Sequence, residues 1–204
     1  MTPTAEKGAK MKSTKKFSIE KVVLAAILTA LVIVLQFLGS FIRFGPFSIS
    51  LVLIPIVIGA ATCGTRISTW LGFAFSVVVL MTDAAAFLAI SIPGTIITVL
   101  LKGTAAGLVA GLVYRLIEKF NRYVAVIVAA VVCPIVNTGI FVLGCFTFFF
   151  AEIESWGLAG GFAGGIEYIF IGMIGLNFLV ELATNVILSP VAVRIISIKK
   201  KKVN

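Results

Sequence analysis

Apolar segments long enough to cross a bilayer succeed one another along nearly the whole chain, and few folds tolerate that. Only 12% of the 204 residues are charged and 60% are hydrophobic, against about 25% charged in an ordinary soluble domain. A hydrocarbon core of about 30 Å is spanned by about 20 apolar residues as a helix. Six segments suit this role, at 19–39, 47–63, 67–81, 96–117, 123–150 and 168–196. The second and third sit at the short end of the range. The expectation is an all-α integral membrane protein with six transmembrane helices. One domain, 18–198, lies between a basic N-terminal tail, 1–17, expected to be disordered, and a basic C-terminal tail, 199–204. The first apolar run is too long for a signal-peptide core and no small-residue cleavage site follows it, so it is expected to be retained as a span. Residues 82–95, with Asp83, an alanine run and Pro93-Gly94, are expected to form an apolar loop, and 157–165 a glycine-rich connection.

Charge orients the set. With six spans, both tails and the loops after spans 2 and 4 share one side, which holds every basic residue except Arg43 and Lys102. The opposite side carries Arg43 with Asp83, Glu152, Glu154 and Glu167. Basic residues beside spans remain in the cytoplasm, so both termini are expected there. The terminal Lys199–Lys202 run is a topology anchor and not a nucleic-acid site.

Lys102 and Glu181 break this pattern by falling inside apolar segments. An ion at the centre of a span costs roughly 3 kcal/mol on insertion scales and marks a functional site by default. At about 1.5 Å per residue, Lys102 lies on the order of 10 Å below the outer boundary. Asn177, Glu181 and Asn185 recur every four residues and form one polar stripe on span 6. Asn137-Thr138 on span 5 falls near the same level, and Thr95, Thr98 and Lys102 share a face of span 4. Three helices thus bring donors and acceptors to the outer half of one bundle, as a pocket for a polar small molecule requires. Lys102 suits an anionic group and Glu181 a hydroxyl or amide donor. The same residues also fit an internal ion pair with asparagines as interhelical glue, at about 0.6 kcal/mol per bond.

Other chemistry is excluded or disfavoured. Histidine is absent, which removes a histidine base, and with no CxxC spacing among three cysteines a zinc site is not expected. The thiols are expected to act as small apolar fillers. There is no phosphate-binding P-loop sequence, so the chain is not itself an ATPase. Asp83 is the only aspartate, too few for the metal motif of a membrane lipid transferase. Gly103, Gly107 and Gly111 repeat every four residues and permit close helix approach, most simply within the chain. Ala26 and Ala30 form a weaker small-residue pair on span 1.

Several of these segments together resemble one family. They are the basic tail before the alanine-rich Ala26-Ile27-Leu28-Thr29-Ala30, the run Leu53-Ile54-Pro55-Ile56-Val57-Ile58-Gly59-Ala60, the triplet Leu101-Lys102-Gly103, and Asn177-Phe178-Leu179-Val180-Glu181-Leu182-Ala183-Thr184-Asn185. Over residues 18–196 the chain resembles the S component of energy-coupling factor (ECF) vitamin transporters. The resemblance implies a six-helix, non-enzymatic binding subunit of the bacterial plasma membrane, with its pocket near the outer face under the first outer loop and the connection between helices 3 and 4. It implies docking through Ala26 and Ala30 onto a transmembrane coupling protein driven by two cytoplasmic ATPases, which use the ATP; the chain itself would need no cofactor or metal. Delivery in the family is thought to involve toppling of the subunit in the membrane. Carried over, Lys102, Asn137, Asn177 and Glu181 are candidate ligands, with Thr98 and Arg43 beside them. Lys102 favours an acidic vitamin, pantothenate first, with riboflavin, folate and lipoate open. The alternative is a stand-alone proton-coupled carrier of a small organic acid, in which Glu181 carries the proton.

Overall fold

The computed structural model describes residues 19–41, 43–44, 47–48 and 52–201. The expected tail 1–17 lies outside the described residues. The first helix, α1, runs Ile19–Ser40. A pair of two-residue antiparallel strands follows, β1 Arg43–Phe44 and β2 Phe47–Ser48, with Arg43 opposite Ser48 and Phe44 opposite Phe47. Then come α2 Leu53–Thr62, α3 Thr65–Thr82, α4 Ala85–Ile90, α5 Ile92–Ile117 and α6 Arg122–Gly144. A π-helical turn, Cys145–Phe149, carries α6 into α7 Phe150–Ala159. The chain ends with α8 Gly165–Glu167, a second π-helical stretch Tyr168–Gly175, and α9 Leu176–Lys201.

Among the described residues, five helical stretches are long and apolar enough to cross a membrane: Ile19–Ser40, Thr65–Thr82, Ile92–Ile117, Arg122–Ala159 and Gly165–Pro190. The expected second span differs. Helix α2 has 10 residues, about 15 Å of helix and half the hydrocarbon thickness. Its side chains are buried on nearly every side, with Leu53 and Ile56 fully enclosed. A helix that is hydrophobic all round belongs to a core, and α2 packs against α1, α3, α5, α6 and α9. Gly64, at φ 96°, turns the chain between α2 and α3.

The expected loop 82–95 is largely helical. Helix α4 occupies Ala85–Ile90, and α5 begins at Ile92 rather than at 96. The cause is local. The Ser91 hydroxyl accepts the Gly94 N–H at 3.2 Å, and Pro93 stands in the first turn, where its missing N–H leaves no bond unmade. Pro-Gly here marks a helix start. Asn121 caps α6 in the same way, its Oδ1 accepting the Tyr123 and Val124 N–H groups at 2.9 and 3.2 Å. The expected glycine-rich connection is shortened because α7 runs to Ala159. The expected C-terminal tail is helical through Lys201.

Proline inside a helix frees a carbonyl one turn earlier. In α9, Pro190 frees the Val186 carbonyl, and the Ser189 hydroxyl donates to it at 2.8 Å. Side-chain hydroxyls of this kind keep the backbone satisfied where water is absent.

The glycine repeat packs α5 onto α3 within the chain. A Cβ on Gly103 would strike Ser76 Oγ and the Gly72 carbonyl, and one on Gly107 would strike the Ser68 carbonyl. Backbone rests directly on backbone there, so neither glycine could carry a side chain without displacing α3. Pinned in this way, α5 turns its neighbouring positions toward α6 on its other side. The three thiols are buried and unpaired with one another, Cys133 in the central core and Cys145 in an aromatic cluster with Phe87 and Phe149.

Candidate functional site

Residue 102 follows from the glycine packing. Gly103 faces α3, and Lys102 beside it projects into a cavity bounded by α1, α3, α4, α5, α6 and α9, of ≈ 60 Å³. Asn137 and Thr138 reach it from α6, and Asn177 and Glu181 from α9. Four of the residues singled out from sequence, Lys102, Asn137, Asn177 and Glu181, therefore line one cavity. The spacing of four puts Asn177 and Glu181 on one face of α9, and that face meets Lys102 and Asn137 at the cavity.

Lys102 is partly covered by aromatic rings. Its Nζ lies 5.1 Å from the centroid of Phe141 and 6.0 Å from that of Phe75, close enough for the ring faces to attract the cation. Glu181 and, more weakly, Asp83 act on the same ammonium electrostatically. Glu181 is only 3% exposed. One turn deeper, Asn185 Nδ2 donates to the Glu181 backbone carbonyl at 2.9 Å, so the lower end of the polar stripe is tied to its own helix.

Thr98 is a correction. It is buried and its hydroxyl and methyl abut Gly144 across the α5–α6 contact; it is not among the residues lining the cavity. A face shared along a helix spans a wide arc, and one turn before Lys102 that arc is filled by α6. For Arg43 the backbone in β1 is described, and its side chain lies outside the described residues. Ala26 and Ala30 are both exposed on α1.

Two polar lining residues were not singled out by the sequence as site residues. Gln36, on α1, is 1% exposed and its Nε2 donates to Asp83 Oδ2 at 2.8 Å. Thr82 Oγ1 donates to the same oxygen at 2.9 Å. Asp83, expected in a loop, stands at the C-terminal end of α3 facing the cavity. A signal was available for each: Gln36 is the one amide within an otherwise apolar first span, and Asp83 is the only aspartate.

At the α4 end the cavity meets an aromatic cluster. Phe87 is its hub, with ring centroids 5.0 Å from Phe149, 5.7 Å from Phe141 and 5.9 Å from Trp156. These edge-to-face contacts hold the short α4 over the polar residues. Among the described residues no group of three or more potential metal ligands gathers. What the arrangement can do chemically is bind a polar ligand: an ammonium, two carboxylates and several amides converge in an apolar shell.

Residues 20–193 match the family model described as the ECF transporter substrate-specific component. The chain belongs to this family. No curated protein and no solved structure matched it. Membership makes the protein a substrate-binding S component rather than a member of an enzyme family, and implies a small-molecule substrate together with an ECF coupling module. With five long apolar helices among the described residues, the S component is a multi-pass membrane protein.

Proposed function

We propose that this S component captures a vitamin-class small molecule on the outer side of the cell membrane and delivers it to an ATP-driven importer. The observation that carries the reading is a polar cavity between α1, α5, α6 and α9 in a chain of this family. Lys102 favours an acidic ligand, pantothenate first, with riboflavin, folate and lipoate behind it. The S component performs no catalysis and binds no cofactor; two cytoplasmic ATPases use the ATP, and a transmembrane coupling protein docks on the face of α1 that exposes Ala26 and Ala30. Residues 18–198 form the binding domain, with both basic termini in the cytoplasm. An impermeant label should therefore reach tags at either terminus only after permeabilisation; labelling of either end in intact cells would break that topology.

Uptake into reconstituted vesicles tests the function. Accumulation of pantothenate or another vitamin of this set should require ATP and the coupling proteins. Accumulation by the purified chain alone, driven by a proton gradient, would replace this reading with a proton-coupled carrier in which Glu181 carries the proton.

A further inference from the structure

Three amide oxygens around the cavity have no hydrogen-bond partner: Gln36 Oε1 on α1, Asn137 Oδ1 on α6 and Asn177 Oδ1 on α9. Each is buried, and a buried acceptor left unpaired is unfavourable enough that nearly all in folded proteins find a donor. For Gln36 the direction is fixed by chemistry. Its Nε2 is held by a carboxylate, Asp83 Oδ2, at 2.8 Å, and a carboxylate accepts only. The amide therefore cannot rotate without setting oxygen against oxygen, and Oε1 is held on the other side. Thr82 donates to the same Asp83 oxygen and steadies the pair.

We infer that Gln36, positioned by Asp83, forms with Asn137 and Asn177 a second recognition pole that reads hydrogen-bond donors on the ligand, opposite in character to Lys102. This rests on the reading of the cavity as the substrate site. The substrate class follows: a small molecule presenting hydroxyl or N–H donors in more than one direction, whether or not it also carries an acid for Lys102. Acceptors already dominate the lining, since two carboxylates face one ammonium. A ligand whose only polar group is a carboxylate would add one more acceptor and leave all three carbonyls dry. Such a ligand is rejected for what it lacks, which is the strongest form of discrimination a buried polar site offers.

Among the vitamins named above this separates pantothenate, riboflavin and folate, which bear hydroxyl or N–H donors, from lipoate, which has a carboxylate on an apolar body. The test is equilibrium binding of these four compounds to the purified full chain in lipid nanodiscs. A donor-bearing compound should bind at least about tenfold tighter than lipoate. Gln36→Met, which keeps the side-chain volume, should cut that preference about tenfold. Asn177→Leu, on a different helix, should do the same and serves if the first variant does not fold. Lipoate binding as tightly as the others overturns the inference. So does an unchanged preference in a folded variant, or no binding by any donor-bearing compound. Vesicle uptake is a separate readout: selectivity that persists while ATP-dependent uptake fails sinks the transport reading alone, and lost selectivity with intact uptake sinks this pole alone.

Discussion

Lys102 and Gly103 divide one turn of α5 between two tasks. The glycine yields its side-chain volume so that α3 can lie against the backbone, and the lysine, about 100° further round the helix, reaches the cavity. The ammonium is held by charge and by rings, with Glu181 and Asp83 acting on it and Phe141 at 5.1 Å. An acidic ligand would meet it as the only cation among the described lining residues. Lys102→Ala should weaken pantothenate binding at least about tenfold, or ~1.4 kcal/mol, measured by isothermal titration on the purified chain. Unchanged affinity would remove Lys102 from the ligand set and leave it as a partner of the carboxylates alone.

At the scale of elements, the site depends on how tightly α5 is set against α3. Gly107 meets the Ser68 carbonyl so closely that any Cβ displaces backbone. Overpacking of this kind costs about 1–3 kcal/mol even where side chains can adjust, and a carbonyl has less freedom. Gly107→Leu should lower the apparent melting temperature in detergent by several degrees and reduce the yield of monodisperse protein. Gly139 provides the contrast, because nothing lies within 4 Å of the position its Cβ would take. Gly139→Ala should leave the melting temperature unchanged or raise it, since alanine is the better helix former by about 1 kcal/mol. Equal behaviour of the two variants would deny the α3–α5 contact.

The whole molecule must do two things with different surfaces. The cavity lies between helices, whereas α1 presents Val22, Val23, Ile27 and Val34 outward, alongside the small Ala26 and Ala30. A shallow strip of that kind lets a second helix approach closely. Ala26→Trp should abolish ATP-dependent uptake in vesicles carrying the coupling module while binding by the isolated S component persists. Loss of binding instead would place Ala26 in the fold of the site rather than on a docking face.

Residues that act through local rules were legible in the sequence. Desolvation makes a charge in an apolar run conspicuous wherever the run goes, so Lys102 and Glu181 stood out, and the four-residue spacing put Asn177 and Glu181 on one face of α9. Helix length per residue then brought Asn137 to the same level. The rest needed contacts between distant segments. Gln36 and Asp83 are 47 residues apart, and no local periodicity couples them. Whether α2 is a span or a buried plug depended on what surrounds its sides, and Thr98 packs its side chain over Gly144 of another helix instead of lining the cavity. The sequence alone determined which helices are apolar and which ions they carry, because transfer into lipid is a property of each segment. Only the tertiary structure decided which polar groups share a cavity, because that is set by helix rotation and close approach between segments remote along the chain.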